Sequence, residues 1–545
     1  SQYIRSCRTG VGVPTPLAQD MAILNRIICS SGGVVTDNDL CSIAALLPHL
    51  DRLSAVDLTG SSLCTDEAMD DFLQQLRGKA CLTLLNLSGC KGIGRSSMGS
   101  LAVLLQNNNL AKLNKLDLSG VQISHSQVPL ICEVVSKHDT LRSLSLSNCG
   151  LAFCGSTAAR CLPPLLSATV MQELDLSWNV FDQAAFGLLG AGVSESEILH
   201  TLSVANCGGS RTEEGEAPIT ALLEKLSRDG SLKHLDLSAN LIDHLGALVL
   251  EDALAKHRGL QELLLNSNPL GEPGLRSLLR LFCGDASTMQ RFECEYCSCG
   301  TAGGVAIPPR EEDGEVKESD VEEDPQKARQ KEREKESEKE KDAAEGAEVF
   351  DITYPVGRYK LNLRRACDRA SLRMLYKACE KFGLAPEKAF KEVEFSSANF
   401  SHASKDDHGN FSVLSDGCLK FQFSIDDSMA SRFGNAKGEA SAPEGQQATA
   451  FLSRYAEAAR IRPCVKKLVP LLAHWRTLDV NARALMLDAL SRGFQLELPF
   501  VLQLCKKHPA VQVLPQALPS LAGGPLARLA ALSCAGVRTL GRQLV

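Results

Sequence analysis

The chain has 545 residues, which is long enough for two or three folded domains, and its hydrophobic content of 44% is ordinary for globular protein. The net charge of −7 arises in one segment, 310–348, where seventeen acidic and nine basic residues give −8 and leave the remainder near +1. A near-neutral remainder lacks the broad basic surface of nucleic-acid-binding proteins, so we expect no nucleic-acid partner. No apolar run approaches the roughly 18 residues of a membrane span, so we expect no membrane insertion.

The first 50 residues precede the first full copy of a repeated pattern. Two apolar segments in this part, residues 21–29 and 43–50, are predicted to be helices because of their apolar spacing. A stack of repeats must cover its ends to keep its core out of water. We therefore interpret residues 1–50 as an N-terminal cap.

Between residues 53 and 299 one short pattern recurs: an apolar residue, two variable positions, an apolar residue, one variable position and an apolar residue, in most copies followed after two more positions by Asn or Cys. Successive copies are 28 to 33 residues apart. The nine copies begin at Leu53, Leu82, Leu113, Leu141, Met171, Leu199, Leu232, Leu260 and Met289. This period indicates leucine-rich repeats.

Each copy predicts one short strand and one helix, because neither element can bury its apolar side without the neighbouring repeat. The Asn or Cys is expected to form hydrogen bonds with the backbone at the turn after the strand. Helical spacing of apolar residues predicts helices at residues 66–76, 97–105, 127–135, 245–255 and 275–282. Long helical returns favour an open horseshoe.

Two copies carry the resemblance to a known family. Residues 174–179 read LDLSWN and residues 235–240 read LDLSAN, and with the period near 29 they resemble the ribonuclease-inhibitor class of leucine-rich repeat proteins. The resemblance covers about half of the chain and implies an α/β fold, a leucine-rich repeat solenoid of about nine repeats over residues 51–300. It implies no particular activity, because one fold carries many functions.

The concave face of such a horseshoe consists of the strand positions between the buried leucines. These positions are rich in charged residues, which favours a basic protein partner. The alternative is an ordinary solvated strand face, since LDLS is common in repeats of this kind. The residues predicted to bind a protein partner are Lys115, Asp117, Glu173, Asp175, Trp178, His234 and Asp236.

Trp178 is included because it is one of only two tryptophans and falls on a turn position that faces solvent. A large aromatic side chain is costly to expose unless a partner covers it. The alternative is that Trp178 packs on an adjacent turn.

Twenty-one cysteines are present, fifteen of them before residue 300. Several occupy repeat positions that require burial or a turn-capping group, which predicts reduced thiols. Together with the lack of a signal peptide or membrane span, this favours a cytoplasmic protein, and a ciliary or cytoskeletal address is compatible with the same pattern. Zinc binding is an alternative for one cluster, but three of its members fall on regular repeat positions and we interpret them as structural. That cluster is Cys283, Cys294, Cys297 and Cys299.

Catalytic and cofactor-binding motifs are absent from the sequence. It contains no phosphate-binding loop, no H-E-x-x-H zinc motif and no G-x-S-x-G nucleophile motif. We therefore predict a non-enzymatic protein that uses no cofactor and no catalytic metal.

Residues 301–348 become Gly- and Pro-containing and then almost wholly charged. Such a composition cannot bury enough apolar surface to fold alone, which predicts a charged disordered linker. A role as an acidic docking segment is the alternative for the same residues.

The chain after residue 348 is predicted to be ordered again. Residues 349–425 are expected to form a small α+β segment, in which an extended run at 349–363 pairs with a second at 418–425 and a helix spans 366–382. A polar linker at 426–445 then leads to a helical domain over 446–545.

This C-terminal portion resembles an uncharacterised domain attached to leucine-rich repeats in ciliated algae and protists. That domain has a G-x-Y-x-L-D/N-L stretch and an Arg before a helix, but its NWRN-like segment is not recognisable between Phe390 and Phe400. The domain implies no activity. The residues that carry the resemblance are Gly357, Tyr359, Leu361, Asn362, Leu363 and Arg369.

Together these features favour a protein–protein interaction scaffold, in which the repeats and the tethered helical domain hold two partners at high effective concentration. The alternative is a regulator of a small GTPase. The order of ribonuclease-inhibitor-type repeats, acidic segment and C-terminal helical domain is similar to that of Ran GTPase-activating proteins, which use an Asn on the repeat face. A third interpretation, innate-immune sensing, would require a nucleotide-binding domain, and no motif for one is found here.

The domain plan predicts where proteases cut. Limited proteolysis of the full chain should cleave within residues 300–348 before either flanking domain, because exposed segments are cut before packed ones. Mass spectrometry should then find two protease-resistant fragments. Early cuts inside the repeats would contradict the plan.

Overall fold

The computed structural model describes residues 25–28, 35–61, 63–106, 109–283, 288–297, 350, 355–396, 401–407 and 409–424. These residues form two compact units, one before residue 300 and one after it. Three predicted segments lie outside the described residues: the charged linker, the polar linker at 426–445 and the helical domain at 446–545.

A parallel sheet of ten three-residue strands runs through the first unit, and the order of strands in the sheet follows their order in the chain. Its strands are β1 (Arg26–Ile28), β2 (Ala55–Asp57), β3 (Leu84–Asn86), β4 (Lys115–Asp117), β5 (Ser143–Ser145), β7 (Glu173–Asp175), β9 (Thr201–Ser203), β10 (His234–Asp236), β11 (Glu262–Leu264) and β12 (Arg291–Glu293). Two short strands, β6 (Ala152–Phe153) and β8 (Val180–Phe181), pair separately. All nine strands predicted from the repeats are confirmed.

The middle residue of each strand forms a continuous buried stack. Leu174 pairs with Leu144 on one side and with Leu202 on the other, and each of the three is at most 1% exposed. Because side chains alternate between faces along a strand, burying the middle residue turns the first and third residues to the opposite face. The repeat pattern thereby determines which residues are available to a partner.

A helix follows most strands and packs on its neighbours in the adjacent repeats. The helices are Asp37–Ala44, Asp66–Gln75, Arg95–Leu105, Val128–Ser136, Gly155–Leu166, Gln183–Glu195, Thr220–Lys225, His244–Leu254 and Gly271–Cys283, with 3₁₀ turns at Leu47–His49 and Leu226–Arg228. The five helices predicted within the repeats are confirmed, with ends shifted by four residues at most.

The predicted helix at residues 21–29 is wrong where the structure describes it. Residues Arg26–Ile28 form β1, which pairs in parallel with β2. Ile27 is fully buried whereas Arg26 and Ile28 are exposed, which is the alternation of a strand. Pairing with the edge of the sheet outweighs the helical spacing of a short apolar run.

Carboxylates at helix starts connect successive repeats. Asp66 accepts hydrogen bonds from the backbone N–H groups of Gly94 (2.9 Å), Ser96 (3.0 Å) and Ser97 (3.0 Å), and from the Ser97 hydroxyl (2.5 Å). These are the unpaired donors at the start of the next helix, Arg95–Leu105. Partial burial raises the pKa of Asp66, but the four hydrogen bonds outweigh it and lower the pKa to about 2.

This carboxylate makes a pH-dependent contribution to stability. Because the folded-state pKa lies below the ordinary value of 3.8, the contribution is present above pH 4 and is lost as pH falls toward 2. We expect Asp66→Asn to remove about 1–2 kcal/mol at neutral pH, a figure reduced for partial exposure, and to flatten the loss of stability between pH 4 and 2. Urea unfolding across that pH range measures both effects. Asp71→Asn, an exposed change on the same helix, is the control, and an equal effect of both substitutions would contradict the capping role.

The second unit is a small α+β structure. Its three-stranded antiparallel sheet has the order β13-β17-β14 and carries one long helix, one short helix and a two-stranded hairpin. The elements are β13 (Gly357–Asn362), the helices Ala366–Phe382 and Pro386–Ala389, β14 (Phe390–Phe395), β15 (Ser404–Lys405), β16 (Phe411–Ser412) and β17 (Cys418–Phe423). The predicted helix at 366–382 and the predicted pairing of the two extended runs are confirmed.

Aromatic residues form the core of the second unit. Tyr376 on the long helix stacks between Phe390 and Phe411, with ring centroids 5.0 and 5.4 Å away. Phe421 and Tyr359 stack at 5.3 Å on the same side of the sheet. Of the helices in the described parts of both units, none has the length and apolarity to cross a membrane.

Candidate functional site

Asn and Cys side chains form hydrogen bonds with the backbone at the turn after seven of the nine repeat strands, as the sequence predicted. The Asn240 amide group donates to the carbonyls of Val204 (2.8 Å) and Leu237 (3.1 Å), and its oxygen accepts from the backbone N–H groups of Cys207 (3.0 Å) and Gly208 (2.8 Å). Asn179 and Asn268 make equivalent bonds in their repeats. The turns, and any side chain displayed on them, are therefore rigidly placed.

Cysteines take over the same position in other repeats. The Cys207 thiol donates to the Leu176 carbonyl at 3.2 Å, and the Cys149 thiol donates to the Leu118 carbonyl at 3.1 Å. Burial raises the pKa of both thiols to about 12, so both stay protonated at neutral pH and keep the donor that the turn needs.

The residue four positions after the middle of each strand has a left-handed backbone conformation in all nine repeats. Only two of these residues, Trp178 and Tyr296, are large. The nine residues, with φ between +52° and +76°, are Gly60, Gly89, Gly120, Asn148, Trp178, Asn206, Ala239, Ser267 and Tyr296. A left-handed conformation costs a residue with a side chain about 1 kcal/mol or more. The backbone is therefore strained at the two aromatic residues, whereas Gly or Asn adopts this conformation more readily.

Both aromatic residues are also exposed. The exposed fraction is 50% for Trp178 and 88% for Tyr296, and Val180 beside Trp178 is 54% exposed. The expectation that Trp178 faces solvent is met, although half of its surface contacts the protein. Trp178 and Tyr296 therefore each combine a strained backbone with an exposed aromatic side chain. Both features cost free energy, and the fold requires neither, because other residues occupy the same position in the other repeats.

The first and third residues of the ten strands form one surface, which we call the strand face. It corresponds to the concave face expected from the sequence. Lys115 and Glu173 are exposed on it, and neither side chain makes a hydrogen bond or ion pair within the described parts of the chain. The strand face carries three cations and seven anions, a charge of 3 − 7 = −4. The cations are Arg26, Lys115 and Arg291, and the anions are Asp57, Asp117, Glu173, Asp175, Asp236, Glu262 and Glu293.

The predicted aspartates have a structural role that the sequence did not reveal. Asp117, Asp175 and Asp236 each accept a hydrogen bond from the backbone N–H two residues later, at 2.9 to 3.0 Å. These bonds fix the strand-to-turn junction and use one oxygen of each carboxylate. All three residues are half-buried.

Serine hydroxyls connect the three aspartates across the sheet. Asp117, Asp175 and Asp236 lie on β4, β7 and β10, which are not neighbours in the sheet. The intervening strands supply Ser145, whose hydroxyl is 2.6 Å from the Ser119 hydroxyl and 3.2 Å from Asp175 Oδ2, and Ser203, which lies 2.7 Å from the Ser177 hydroxyl. The structure therefore joins these sites into one polar ladder. The sequence analysis missed these serines, because a serine at a variable strand position gives no functional signal by itself.

A charged cluster ends the strand face at β11 and β12. His234 Nδ1 lies 2.8 Å from Glu262 Oε2, Arg291 pairs with Glu262 and Glu293, and the amide of Asn266 donates to Glu293 at 3.3 Å. The hydrogen bond from Arg291 lowers the pKa of Glu293 and raises that of Arg291. Glu262 and Arg291 were missed by the sequence analysis, although the repeat register alone places them on this face.

The cysteine cluster predicted to be structural is described only in part. The Cys297 thiol donates to the Leu265 carbonyl at 3.2 Å, the turn-capping role of its position. Neither the Cys283 side chain nor Cys299 is described. Within the described residues no group of three or more His, Cys, Asp or Glu side chains is arranged to hold a metal ion. Zinc therefore remains an alternative for these cysteines.

Comparison with known proteins supports the repeat architecture. No family model matches the chain. The mouse ribonuclease inhibitor is 26% identical over 329 residues, which cover 54% of this chain and 68% of that protein. The pig ribonuclease inhibitor is 30% identical over 294 residues, covering 52% of this chain and 54% of that protein. The repeat unit is thus a leucine-rich repeat solenoid.

A second group of relatives is larger than this chain. Human NACHT, LRR and PYD domains-containing protein 5 is 28% identical over 267 residues, or 49% of this chain and 19% of that protein. The chain thus spans about a fifth of the length of this relative. The activity of that whole protein therefore cannot be assigned to this chain. A solved internalin from Listeria monocytogenes is similar over 52% of this chain and 80% of that chain at 18% identity, with a TM-score of 0.28, which is too low to support a conclusion.

Proposed function

We propose that the repeat unit binds a protein partner with a basic surface through the strand face, and that the chain acts as a non-enzymatic scaffold. The observation that carries the proposal is the charge of −4 on a continuous face, with a strained and exposed Trp178 on the turn after β7, in the fifth of the nine repeats. The likeness to two ribonuclease inhibitors supports it, because an inhibitor of an enzyme acts by binding a protein.

The strand face divides into residues that serve the fold and residues that are free for a partner. Asp117, Asp175 and Asp236 each keep one carboxylate oxygen on the backbone. The second oxygens of Asp175 and Asp236 also accept from the Ser145 and Ser203 hydroxyls at 3.2 and 3.4 Å. Glu173 has both oxygens available and is exposed. A basic partner would therefore be steered by the whole face and contacted most directly by Glu173, with Trp178 providing apolar contact area.

Charge reversal at one exposed site tests the proposal. The 545-residue chain and its Glu173→Lys variant are compared for capture of partners from cell extract at physiological salt. The matched control is Glu67→Lys, a change at an exposed glutamate on a helix of the same unit. A basic protein should bind the wild type and the control and be lost with Glu173→Lys. Capture that is insensitive to Glu173→Lys would place the binding site elsewhere.

We further propose a second partner for the C-terminal part of the chain, and a reducing, cytoplasmic location. The scaffold role needs two binding parts on one chain, and the second unit folds around its own aromatic core. Thiols that donate hydrogen bonds in the turns, such as those of Cys90 and Cys207, support a reducing compartment because a disulfide would remove the donor.

No observation favours the GTPase-regulator alternative. Such a regulator is expected to present an Asn on the repeat face. Asn179, Asn240 and Asn268 at the turns are at most 3% exposed and hydrogen-bonded to the backbone. Asn86, the one asparagine among the first and third strand residues, is half-buried, and its Oδ1 accepts from the backbone N–H of Ser88 at 3.0 Å. A GTP hydrolysis assay with candidate GTPases separates the two functions: stimulation well above the intrinsic rate would favour the regulator.

A further inference from the structure

Tyr296 repeats the features of Trp178 four repeats further along the array. Both residues occupy the turn position with a left-handed backbone, with φ +56° and +62°, and their exposed fractions are 88% and 50%. The equivalent residues in the three repeats between them are the smaller Asn206, Ala239 and Ser267. The row of turns therefore displays two large aromatic side chains with only small side chains between them.

Hydrogen bonds between the turns fix the separation of the two aromatic residues. The four turn residues from Trp178 to Ser267 each donate a backbone N–H to a carbonyl in the turn of the next repeat, at 2.7 to 2.8 Å. The spacing of the strands thus continues through the turns. Neighbouring strands lie about 4.8 Å apart, so four steps place the Trp178 and Tyr296 backbones about 19 Å apart.

The anions of the strand face are concentrated beside the same five repeats. The five strands from β7 to β12 carry one cation and five anions, a charge of 1 − 5 = −4, whereas β1 to β5 carry two cations and two anions. Counting also the residue before each strand and the two residues after it adds Arg142 to the first group, and Lys233 and Glu295 to the second. The charges are then +1 and −4. A basic surface is therefore attracted to the half of the strand face that Trp178 and Tyr296 flank.

Arginine is the side chain that suits this combination of anions and exposed aromatic rings. A guanidinium group stacks on the face of Trp or Tyr, where the negative ring face attracts it, and it forms paired hydrogen bonds with carboxylates. The phosphates of a nucleic acid would be repelled by the same anions. The surface therefore fits a protein partner that presents arginine.

We propose that Tyr296 is a second anchor for the basic partner, and that the partner presents two arginine side chains about 19 Å apart, one for each aromatic residue. The inference rests on the proposed function, because it specifies the partner of the same strand face. It adds a requirement of spacing, which attraction between net charges does not impose.

Two synthetic helical peptides serve as probes of this spacing. They have the same composition, including the same lysines, and each carries two arginines on one face, 14 residues apart in one peptide and 7 in the other. At 1.5 Å per residue the two arginines are separated by about 21 Å or about 10 Å along the helix. Only the longer spacing allows flexible arginine side chains to reach both aromatic residues. Fluorescence anisotropy with the 545-residue chain at low salt measures the affinity of each peptide.

The peptide with the longer spacing should bind about fivefold more tightly, the gain expected from one more cation–π contact at an exposed site. Tyr296→Ala should remove this advantage, and so should Trp178→Ala. Ala239 has the same backbone conformation, so alanine is accommodated at this turn position, and circular dichroism shows that each variant is folded. Ser267→Ala, a change at an exposed residue on the same row of turns, is the matched control and should keep the advantage.

Three results would overturn the two-anchor site. Equal affinity of the two peptides for the wild type would show that charge alone explains binding. An advantage that survives Tyr296→Ala in a folded variant would exclude Tyr296 as an anchor. Absence of binding by both peptides would also overturn the site, but the proposed function would fail with it only if capture of a basic protein were likewise insensitive to Glu173→Lys.

Discussion

Asn240→Ala should destabilise the repeat unit by about 3–5 kcal/mol. The side chain is fully buried, its amide nitrogen lies within 3.1 Å of three carbonyl oxygens that share its two hydrogens, and its oxygen accepts from the N–H groups of Cys207 and Gly208. Alanine leaves both N–H groups buried and unpaired and opens a cavity between two repeats. Burying an unpaired donor costs more than losing one bond at the surface.

The matched control is the same substitution at an exposed asparagine. Asn114 is exposed and its side chain makes no hydrogen bond in the described parts of the chain, so Asn114→Ala should change stability by less than about 0.5 kcal/mol. Urea unfolding of the full chain, followed by circular dichroism, compares the two. A cost below about 1 kcal/mol for Asn240→Ala would mean that the turn ladder contributes little to stability.

The strands were predictable because every repeat must bury one side of a short strand against its neighbours. A leucine flanked by variable residues fits a strand with one buried face, and nine copies fix the register. The strand at Arg26–Ile28 was missed because a short apolar run is ambiguous between helix and strand. Only its pairing with Ala55–Asp57 decides the matter, and that pairing joins residues 29 positions apart.

The candidate site was predictable in position but not in role. The pattern places Asp117, Asp175 and Asp236 on one face, yet nothing local shows that a carboxylate oxygen accepts from the next turn. The bridging serines Ser145 and Ser203 lie 28 to 33 residues from the aspartates they connect. Hydrogen bonds of this span depend on the sheet as a whole.

The strain at Trp178 could be read from the sequence once the turn position was known. Gly60, Gly89 and Gly120 occupy the equivalent position in earlier repeats, and glycine is the residue that adopts a left-handed conformation without cost. A tryptophan in that series departs from what the backbone prefers. Comparison within one chain thus separates a structural consensus from an exception to it.

Trp178→Ala should weaken binding of the basic partner about thirtyfold or more, which corresponds to roughly 2 kcal/mol, because aromatic anchors near the centre of an interface dominate its affinity. Trp178 lies in the fifth of nine repeats, next to β7, which carries Glu173 and Asp175. Titration calorimetry with the partner captured by the wild type measures the effect. Val180→Ala, a neighbouring residue of similar exposure, should reduce affinity far less.

The stability of the same variants distinguishes a binding role from a packing role. Ala239 already occupies the equivalent position with φ +56°, so alanine is accommodated there. Trp178→Gly should change stability by less than about 1 kcal/mol, because relief of backbone strain offsets the loss of the contacts made by the buried half of the ring. If Trp178 instead packed as part of the core, Trp178→Gly would cost about 3 kcal/mol or more. Weakened binding with undiminished stability is the result we expect, since the exposed half of the side chain is the part a partner would cover. Loss of both would assign Trp178 to the fold and leave Glu173 and the aspartate ladder as the recognition surface.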